Sequence, residues 1–331
     1  MRAYILILFS LSSVLTFANT DDSLNYNLYK DKVVLYSDLG YSSAPFNLKD
    51  NYQLGVEKLK FRHNQKVVMG FGVAYKWFAL RIGVGLPGTL RSASKYGRTS
   101  IQDLGVKFNI KKTFWDIDFR NYKGYVIKDA YKWNDTLNSL YANAIVPEVR
   151  SASFSINSWY FKSKNFMQSV LGKVGDFKKS TGTWYFKSTL NLFGIGSDKG
   201  RLTPDELIDS TQTKSFVNTI SALDLGLVPG YAYVHRVDNW QISAFAGLGG
   251  VIQSKFYAVG AQTRGFLGLA PRIDLRFIAG YSKSRYFIWF TSEFDVKSIS
   301  LQELKFNQTY HALRIVGGFR FNKKKKEKKR D

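Results

Sequence analysis

The sequence has 331 residues, 48 Lys and Arg against 25 Asp and Glu for a formal charge of +23, and no cysteine. It can therefore hold no disulfide, no lipid anchor on an N-terminal cysteine and no cysteine-ligated metal. Aromatics make up 16% (20 Tyr, 26 Phe and 7 Trp), and a mean hydropathy near zero is what one apolar and one polar face would give.

The chain opens with Arg2 ahead of an uncharged apolar run, and Leu15-Thr-Phe-Ala18 places small residues where a signal peptidase reads. This pattern predicts a secretory signal over 1–18 and a mature start near Asn19. No later stretch has the long apolar run that a membrane helix needs. Residues 19–31 read as a short periplasmic lead, 32–321 as the main domain and 322–331 as a basic disordered tail. The tail carries +5 and Arg2 +1, so +17 remains on the body. A secreted body of that charge points to anionic lipid headgroups, lipopolysaccharide included, or to an anion-attracting lumen. Nucleic acid is the cytosolic reading and is set aside.

Period-2 alternation follows, many times over with short turns between. Val67, Met69, Phe71, Val73 and Tyr75 alternate with Gly70, Gly72 and Ala74. After Lys76, Phe78, Leu80, Ile82, Val84 and Leu86 alternate with Ala79, Arg81, Gly83 and Gly85. Leu104/Val106/Phe108/Ile110 oppose Asp103/Lys107, and Trp115/Ile117/Phe119 oppose Asp116/Asp118/Arg120. Trp184/Phe186/Leu190/Leu192, the weaker Ile242/Ala244/Ala246/Leu248, Leu267/Leu269/Ile273/Leu275/Phe277 and Tyr286/Ile288/Phe290/Phe294 repeat the pattern. One face is large and apolar; the other is small or charged, which suits a crowded barrel interior. Tyr75, Trp77, Trp115, Tyr160, Trp240, Tyr281 and Tyr286 gather at strand ends, as an interfacial girdle does. The last strand, Tyr310 to Phe321, ends on an aromatic and resembles the C-terminal signal read by the barrel-assembly machinery, with ten residues added beyond it.

Thirteen segments alternate, near 33–48, 57–75, 77–88, 99–111, 113–125, 147–161, 165–173, 181–193, 219–234, 239–253, 265–281, 285–297 and 309–321. A bacterial barrel with both termini on one side needs an even number. The faintest is 165–173, so the prediction is an all-β, transmembrane, antiparallel up-and-down barrel of about 12 strands, with 14 next. Stretches 125–146, 194–217 and 297–308 read as extracellular loops. The second contains a Thr203 cap signal, Pro204 and Glu206, which predict a short helix.

The lumen-lining residues predicted from the alternation are Arg81, Lys107, Asp116, Asp118, Arg120, Arg272, Asp274, Arg276 and Glu293. Asp116 and Asp118, about 7 Å apart on one face, have the pattern of a hydrolytic carboxylate pair, but lumen arginines offer a cheaper account of buried charge. Three histidines exist, His63, His235 and His311. None has a serine beside it in sequence, so no Ser/His chemistry is assigned and His63 and His235 read as loop or turn residues. Phe245-Ala-Gly-Leu-Gly-Gly250 lacks the context of a phosphate loop and reads as small residues within a strand. No metal, cofactor or catalytic residue is predicted. The basic tail reads as solvated, on the periplasmic side.

Several blocks are ordered together: Leu59-Lys-Phe-Arg-His, Gly70-Phe-Gly-Val-Ala-Tyr-Lys-Trp-Phe-Ala-Leu-Arg, Asn121-Tyr-Lys-Gly-Tyr, Pro147-Glu-Val-Arg, Ser180-Thr-Gly-Thr and Pro229-Gly-Tyr-Ala-Tyr. They resemble an uncharacterised domain-of-unknown-function family of Bacteroidota outer-membrane barrels. The resemblance implies an outer-membrane barrel and brings no catalytic residue with it. It also implies envelope O-glycosylation at Thr136 and Ser210, within Asp135-Thr-Leu and Asp209-Ser-Thr. The function expected is non-enzymatic: a narrow anion-favouring pore, or a structural or accessory protein of the Gram-negative envelope. A lipid- or polysaccharide-modifying enzyme and a secreted soluble β-sandwich binding module are the alternatives.

Overall fold

The alternating segments pair as strands in this computed structural model, which describes residues 25–322 apart from 30, 66, 87–89, 136, 138–141 and 172. In chain order the strands are β1 (Tyr26–Leu28), β2 (Lys32–Ser43), β3 (Phe46–Lys49), β4 (Lys58–Arg62), β5 (Val67–Tyr75), β6 (Phe78–Gly85), β7 (Ser100–Ile110) and β8 (Thr113–Ile127). Then come β9 (Ala144–Phe161), β10 (Gly175–Phe177), β11 (Thr181–Ser197), β12 (Val217–Val237), β13 (Trp240–Val259), β14 (Gln262–Ser282), β15 (Tyr286–Leu301) and β16 (Leu304–Asn322). Two short helices interrupt them, α1 (Ala93–Tyr96) and α2 (Lys164–Val170).

Twelve of these strands, β2, β5–β9 and β11–β16, form an antiparallel ring that closes where β16 pairs with β2. A single sheet closed on itself leaves no second sheet to pack against, so the β-sandwich alternative is overturned. The segment set aside as the faintest of the thirteen, 165–173, is α2, whose first turn is held by Ser163 Oγ accepting from the Phe166 N–H at 3.0 Å. Residues 297–308 are not a loop. They continue β15 and β16 around a two-residue turn at Gln302 and Glu303. The helix expected after Thr203 shrinks to one 3₁₀ turn, Asp205–Leu207, with Pro204 at its cap position and Ile208 already extended.

Both the start of β2 and the end of β16 lie at one rim, the near rim. Three of its turns are tight, with Lys76, Lys111 and Asp238 in the left-handed region, and the longer stretch 162–180, which holds α2 and β10, joins β9 to β11 there. The far rim carries the connections 86–99, 128–143 and 198–216. The signal expected over 1–18 and the tail beyond Asn322 lie outside the described residues. Residues 26–28 do more than lead into the barrel: β1 pairs with β10 beside α2.

At the far rim the ring changes composition. β3 pairs with β16 at Lys305–Gln308, and β4 pairs with β8 at Val126 and Ile127, above the pairings of β2 and β7. The β3–β4 hairpin therefore bridges the short strands β2, β5, β6 and β7. A bulge between Lys123 and Tyr125 lets Tyr122 and Tyr125 both face inward beneath it. Gly124 makes this bend with a φ of +93°, and a Cβ there would clash with the Arg98 carbonyl oxygen.

The interior has three layers, all visible along the inward face of β11. Tyr185 belongs to a near-rim aromatic cluster, Lys187, Thr189 and Asn191 to a polar middle, and Phe193 and Ile195 to a far-rim apolar cluster. The near-rim plug is α2, β1 and β10: Tyr26, Phe166, Met167, Val170 and Phe177 pack on Phe161, Tyr185, Phe245 and Phe287. The far-rim plug is the β3–β4 hairpin, with Phe46, Leu48, Leu59 and Phe61 on Tyr125, Phe193, Ile299 and Phe306. Phe46 and Phe61 are stacked at 4.4 Å.

Candidate functional site: a charged belt across the lumen

Alternation sends the even-numbered residues of β2, β8 and β14 inward, and their polar members meet at mid-height. Arg81 on β6 donates Nε and Nη2 to the two carboxylate oxygens of Asp38, each at 2.7 Å. Gly70 on the intervening β5 makes room, since a Cβ there would clash with the Asp38 carboxylate. From Arg81 the chain of charges runs to Asp103 (3.6 Å), to Arg314 (3.2 Å), to Glu293 (3.8 Å), to Arg276 (3.5 Å), to Asp116 (3.9 Å) and to Lys107 (3.0 Å). Arg120 links Asp118 at 3.2 Å to Asp103 at 4.0 Å, with its guanidinium over the Tyr310 ring.

Two smaller groups complete the belt. Asp274 accepts from Lys187 Nζ at 2.8 Å and from the Tyr185 hydroxyl at 3.0 Å. Arg272 is bonded to Asp224, lies 3.9 Å from Asp295, and Asp295 in turn faces Lys297 at 3.8 Å. The belt thus joins all nine residues predicted to line the lumen. Asp116 and Asp118 are each engaged by cations and share no substrate-sized space. Sequence reasoning missed Asp38, Asp103, Lys187, Asp224, Asp295, Lys297 and Arg314. Arg314 could have been found from its place opposite Leu313 and Ile315 in the last strand. Asp38 and Asp224 could have been found the same way, between leucines and tyrosines of outward parity.

Eight cations and eight carboxylates make these pairs. The belt leaves cavities of only about 50 and 60 Å³ on its two sides. Among the described residues, the two plugs and the belt leave no passage for an organic solute along the axis.

The wall parts at the seam between β14 and β15. β14 and β15 pair only from Ser282–Phe287 up to Asp274–Asp295, whereas β14 continues to Gln262 beside β13, and β15 to Leu301 beside β16. Above Asp274 the seam is bridged by side chains in place of backbone bonds. Arg272 Nη1 donates to the Val296 carbonyl (2.7 Å), Gln253 Nε2 to that of Ser298 (2.9 Å) and Lys255 Nζ to that of Ser300 (3.1 Å). Gly268 lets Lys255 cross β14, because a Cβ there would stand 2.7 Å from its Nζ. On the outer side of this stretch Leu267 and Leu269 are 76% and 80% exposed.

The seven girdle residues all fall at the near rim. Trp240 faces Tyr281 at 5.4 Å, Tyr281 stacks with Tyr286 at 6.0 Å, and Trp115 stacks on Phe108 at 5.8 Å. Tyr75 and Trp77 bound the β5–β6 turn, and Tyr160 pairs with Thr113 at the same height. Ser210 is exposed on a far-rim connection, and Thr136 lies outside the described residues.

Both His63 and His235 meet a serine distant in sequence; His63 lies in the connection just past β4, as expected of a loop residue, whereas the expectation for His235 is corrected. His235 lies within β12, exposed, with Nδ1 3.3 Å from Ser180 Oγ. Ser180 Oγ also accepts from the Arg236 N–H at 2.9 Å, which closes the near-rim connection onto the strand. His63 and Ser43 are 1% and 3% exposed, with Nε2 3.0 Å from Ser43 Oγ. The Ala44 N–H points at the same nitrogen at 3.0 Å, and the Gln65 N–H at Nδ1 at 3.2 Å. Among the described residues no carboxylate bonds to either ring, and the Ser43–His63 pair is buried. His63 is a clasp between the end of β2 and the end of β4.

Burial and the nearby cations Arg91 and Arg62 push the His63 imidazole down to about 3, and two backbone donors aimed at the ring act the same way. Below about pH 6.5 the unfolded chain takes up a proton that the folded one refuses. Stability is therefore expected to fall from pH 6.5 toward pH 3, with a slope approaching about 1.4 kcal/mol per pH unit from this group. Urea unfolding across that range checks it: a His63→Gln variant should lose the His63 share of the slope, and an unchanged slope would refute the assignment.

Fold and site together define a closed, twelve-stranded barrel with a plugged lumen and an ion-paired belt. The chain belongs to a family of unknown function, DUF4421, whose model matches residues 20–321. No curated protein matches it. Among solved structures it is similar to the outer membrane protease OmpT from Escherichia coli, at 7% identity over 89% of this chain and 98% of that one, with a TM-score of 0.39. It is also similar to the translocator domain of the autotransporter NalP from Neisseria meningitidis, at 9% identity over 97% and 95%, TM-score 0.34. A third is the toluene transporter TodX from P. putida, at 8% identity over 88% and 90%, TM-score 0.25.

Proposed function

We propose that this protein is a non-enzymatic barrel of the outer membrane, closed at rest, with a structural or accessory role in the envelope. The membrane reading rests on the outer surface. All twelve ring strands present large exposed apolar side chains, among them Leu39, Phe71, Ile82, Leu104, Phe119, Phe154, Leu192, Leu225, Ile252, Leu275, Ile288 and Ile315. A continuous belt of this kind far exceeds the few hundred Å² of apolar patch that water-soluble monomers expose. Together with the one-sided aromatic girdle, it matches a lipid-facing band roughly 25 Å tall. On this reading the near rim, with both termini and the basic tail, is periplasmic, and insertion runs through the barrel-assembly machinery.

The observation that carries the closed state is the filled interior, where two apolar plugs enclose a belt without an axial passage. The belt itself pairs equal numbers of both signs and so gives an anion preference no support, although Lys173 adds a cation beside it, over the Tyr36 ring. Detergent-folded protein reconstituted into a planar bilayer tests the proposal. The expected record is a flat baseline without steady open-channel current. A stable ohmic channel in the unmodified protein would overturn the closed state, and recovery of the native protein in the soluble fraction would overturn the membrane reading.

A further inference from the structure

The outward face of the β3–β4 hairpin carries charge of one sign only. Its register places Lys305 of β16 directly opposite Lys49 of β3, and Lys49 directly opposite Lys58 of β4. In the next row down, Asn307 faces Asn47, and Asn47 faces Lys60. Their neighbours of the other parity, Leu48, Leu59, Phe61, Leu304 and Phe306, are buried in the far-rim plug. The lysines therefore have no alternative but to point away from the lumen.

Like charges set directly across neighbouring strands destabilise a sheet, and here three stand in one row. Nothing in the described chain compensates them. The ion pairs of this rim, Lys123–Asp198, Lys128–Asp129, Arg150–Asp198, Lys199–Glu148 and Arg201–Asp205, all lie elsewhere. Asp50, Glu57 and Glu303 sit on the turns beyond the strand ends, and none of them pairs with the row. A row of lysines whose repulsion has been kept without internal counter-charge calls for an external anion.

The height of the row identifies which anion. Lys305 stands fourteen residues along β16 from Phe319 at the near rim. At about 3.4 Å per residue and a tilt near 40°, that is roughly 35 Å above the girdle, some 10 Å beyond a hydrocarbon band roughly 25 Å tall. Below the hairpin the wall is made of the short strands β5 and β6, whose exposed Phe71, Ile82 and Val84 face the lipid. The row therefore overhangs the headgroup plane.

We propose that Lys305, Lys49 and Lys58, with Lys60 beneath them, form a binding site for the phosphate groups of an anionic glycolipid of the outer leaflet. The proposal rests on the outer-membrane reading above and adds a specific ligand site to it. Lysine suits such a ligand, because three rotatable donors on a flexible stem follow a mobile phosphate where a planar guanidinium would fix one orientation. The neighbouring Asn47 and Asn307 offer amide donors to the same oxygens.

The test uses the full chain folded in detergent, with a phosphorylated lipid A, its dephosphorylated form and inorganic phosphate as separate probes. Native mass spectrometry should show at least tenfold more retention of the phosphorylated than of the dephosphorylated lipid. The triple variant Lys49→Gln/Lys58→Gln/Lys305→Gln should lose this preference. Without lipid and at low salt it should melt no earlier than the parent, because cross-strand repulsion has been removed. A purely structural role predicts the opposite shift. Equal lipid retention by parent and variant would overturn the site, and equal protection by inorganic phosphate would overturn the lipid as its source. Should the triple variant fail to fold, Lys49→Gln alone should weaken retention about threefold, and no change would count against the proposal. Membrane fractionation of the same variants separates this failure from failure of the outer-membrane reading.

Discussion

An Arg314→Met variant should lose about 3–5 kcal/mol of stability, the cost of leaving buried charges without their partner. Arg314 stands where three carboxylates converge: Asp103 at 3.2 Å, Glu293 at 3.8 Å and Asp38 at 4.0 Å, with the Tyr310 hydroxyl at 3.3 Å. Arg81 can still hold Asp38, and Arg276 can still hold Glu293, but Asp103 is left with longer contacts to Arg81 and Arg120. Methionine fills the volume without the charge, so the loss reports electrostatics and not a cavity. The second step is diagnostic. Adding Asp103→Asn to Arg314→Met removes the stranded carboxylate and should recover about half of the loss. By contrast, removing Lys123 from its half-exposed pair with Asp198 should change stability by less than about 1 kcal/mol. Urea titration of the detergent-folded barrel measures all three. A loss for Arg314→Met no larger than that for the surface pair would show that the belt does not couple as the distances suggest.

The parts of this architecture that were legible in the sequence lie in the middle of the wall. There the outward residues are large and apolar and the inward ones small or charged, so Val73/Ala74 or Ile117/Asp118 announces both strand and side. Above that height the rule reverses. Ile299, Leu301, Leu304 and Phe306 point inward into the plug, while Ser298, Ser300 and Lys305 face outward. Where apolar residues are expected to face lipid, Lys297-Ser-Ile-Ser has the look of a loop. The same inversion merged β3 with β2 and β4 with β5, hiding the hairpin that bridges four strands. Residues 165–173 were rightly dropped from the count, but alternation over so short a span does not separate a strand from two turns of helix, and the Ser163 cap was the signal that names the helix.

The belt was half legible. Strands whose charges sit in twos and threes, Asp116-x-Asp118-x-Arg120 or Arg272-x-Asp274-x-Arg276, declare an inward polar face by themselves. Asp38 and Arg314 sit apart from other acids and bases on the inward faces of their strands at mid-height, and only closure of β16 onto β2 brings them within reach of one another and of Asp103. The Ser43–His63 clasp was illegible for the same reason, since twenty residues and a whole hairpin separate its members.

Phe166→Ala should cost about 3–5 kcal/mol at the near-rim plug, and the loss should be local. The Phe166 ring is fully buried, 5.3 Å from Phe177 and about 6.1 Å from both Phe161 and Phe245, so truncation removes the centre of an aromatic cluster. Besides these contacts the plug is held to the wall by side-chain hydrogen bonds, Arg320 of β16 donating to the Lys173 and Gly175 carbonyls at 3.1 and 3.3 Å. α2 and β10 share no backbone ladder with the ring, and β10 pairs only with β1. The twelve-stranded ring keeps every one of its interstrand bonds when the plug loosens. The variant should therefore become sensitive to protease between 162 and 180 while remaining a folded barrel by its strand signal and its resistance to unfolding on gels. The charged belt and the far-rim hairpin still close the axis, so the bilayer record should stay flat. If instead ring and plug unfold together, the plug is a structural keystone of the wall and not a separately docked unit. A steady current from the loosened variant would show that the near-rim plug alone had been the seal.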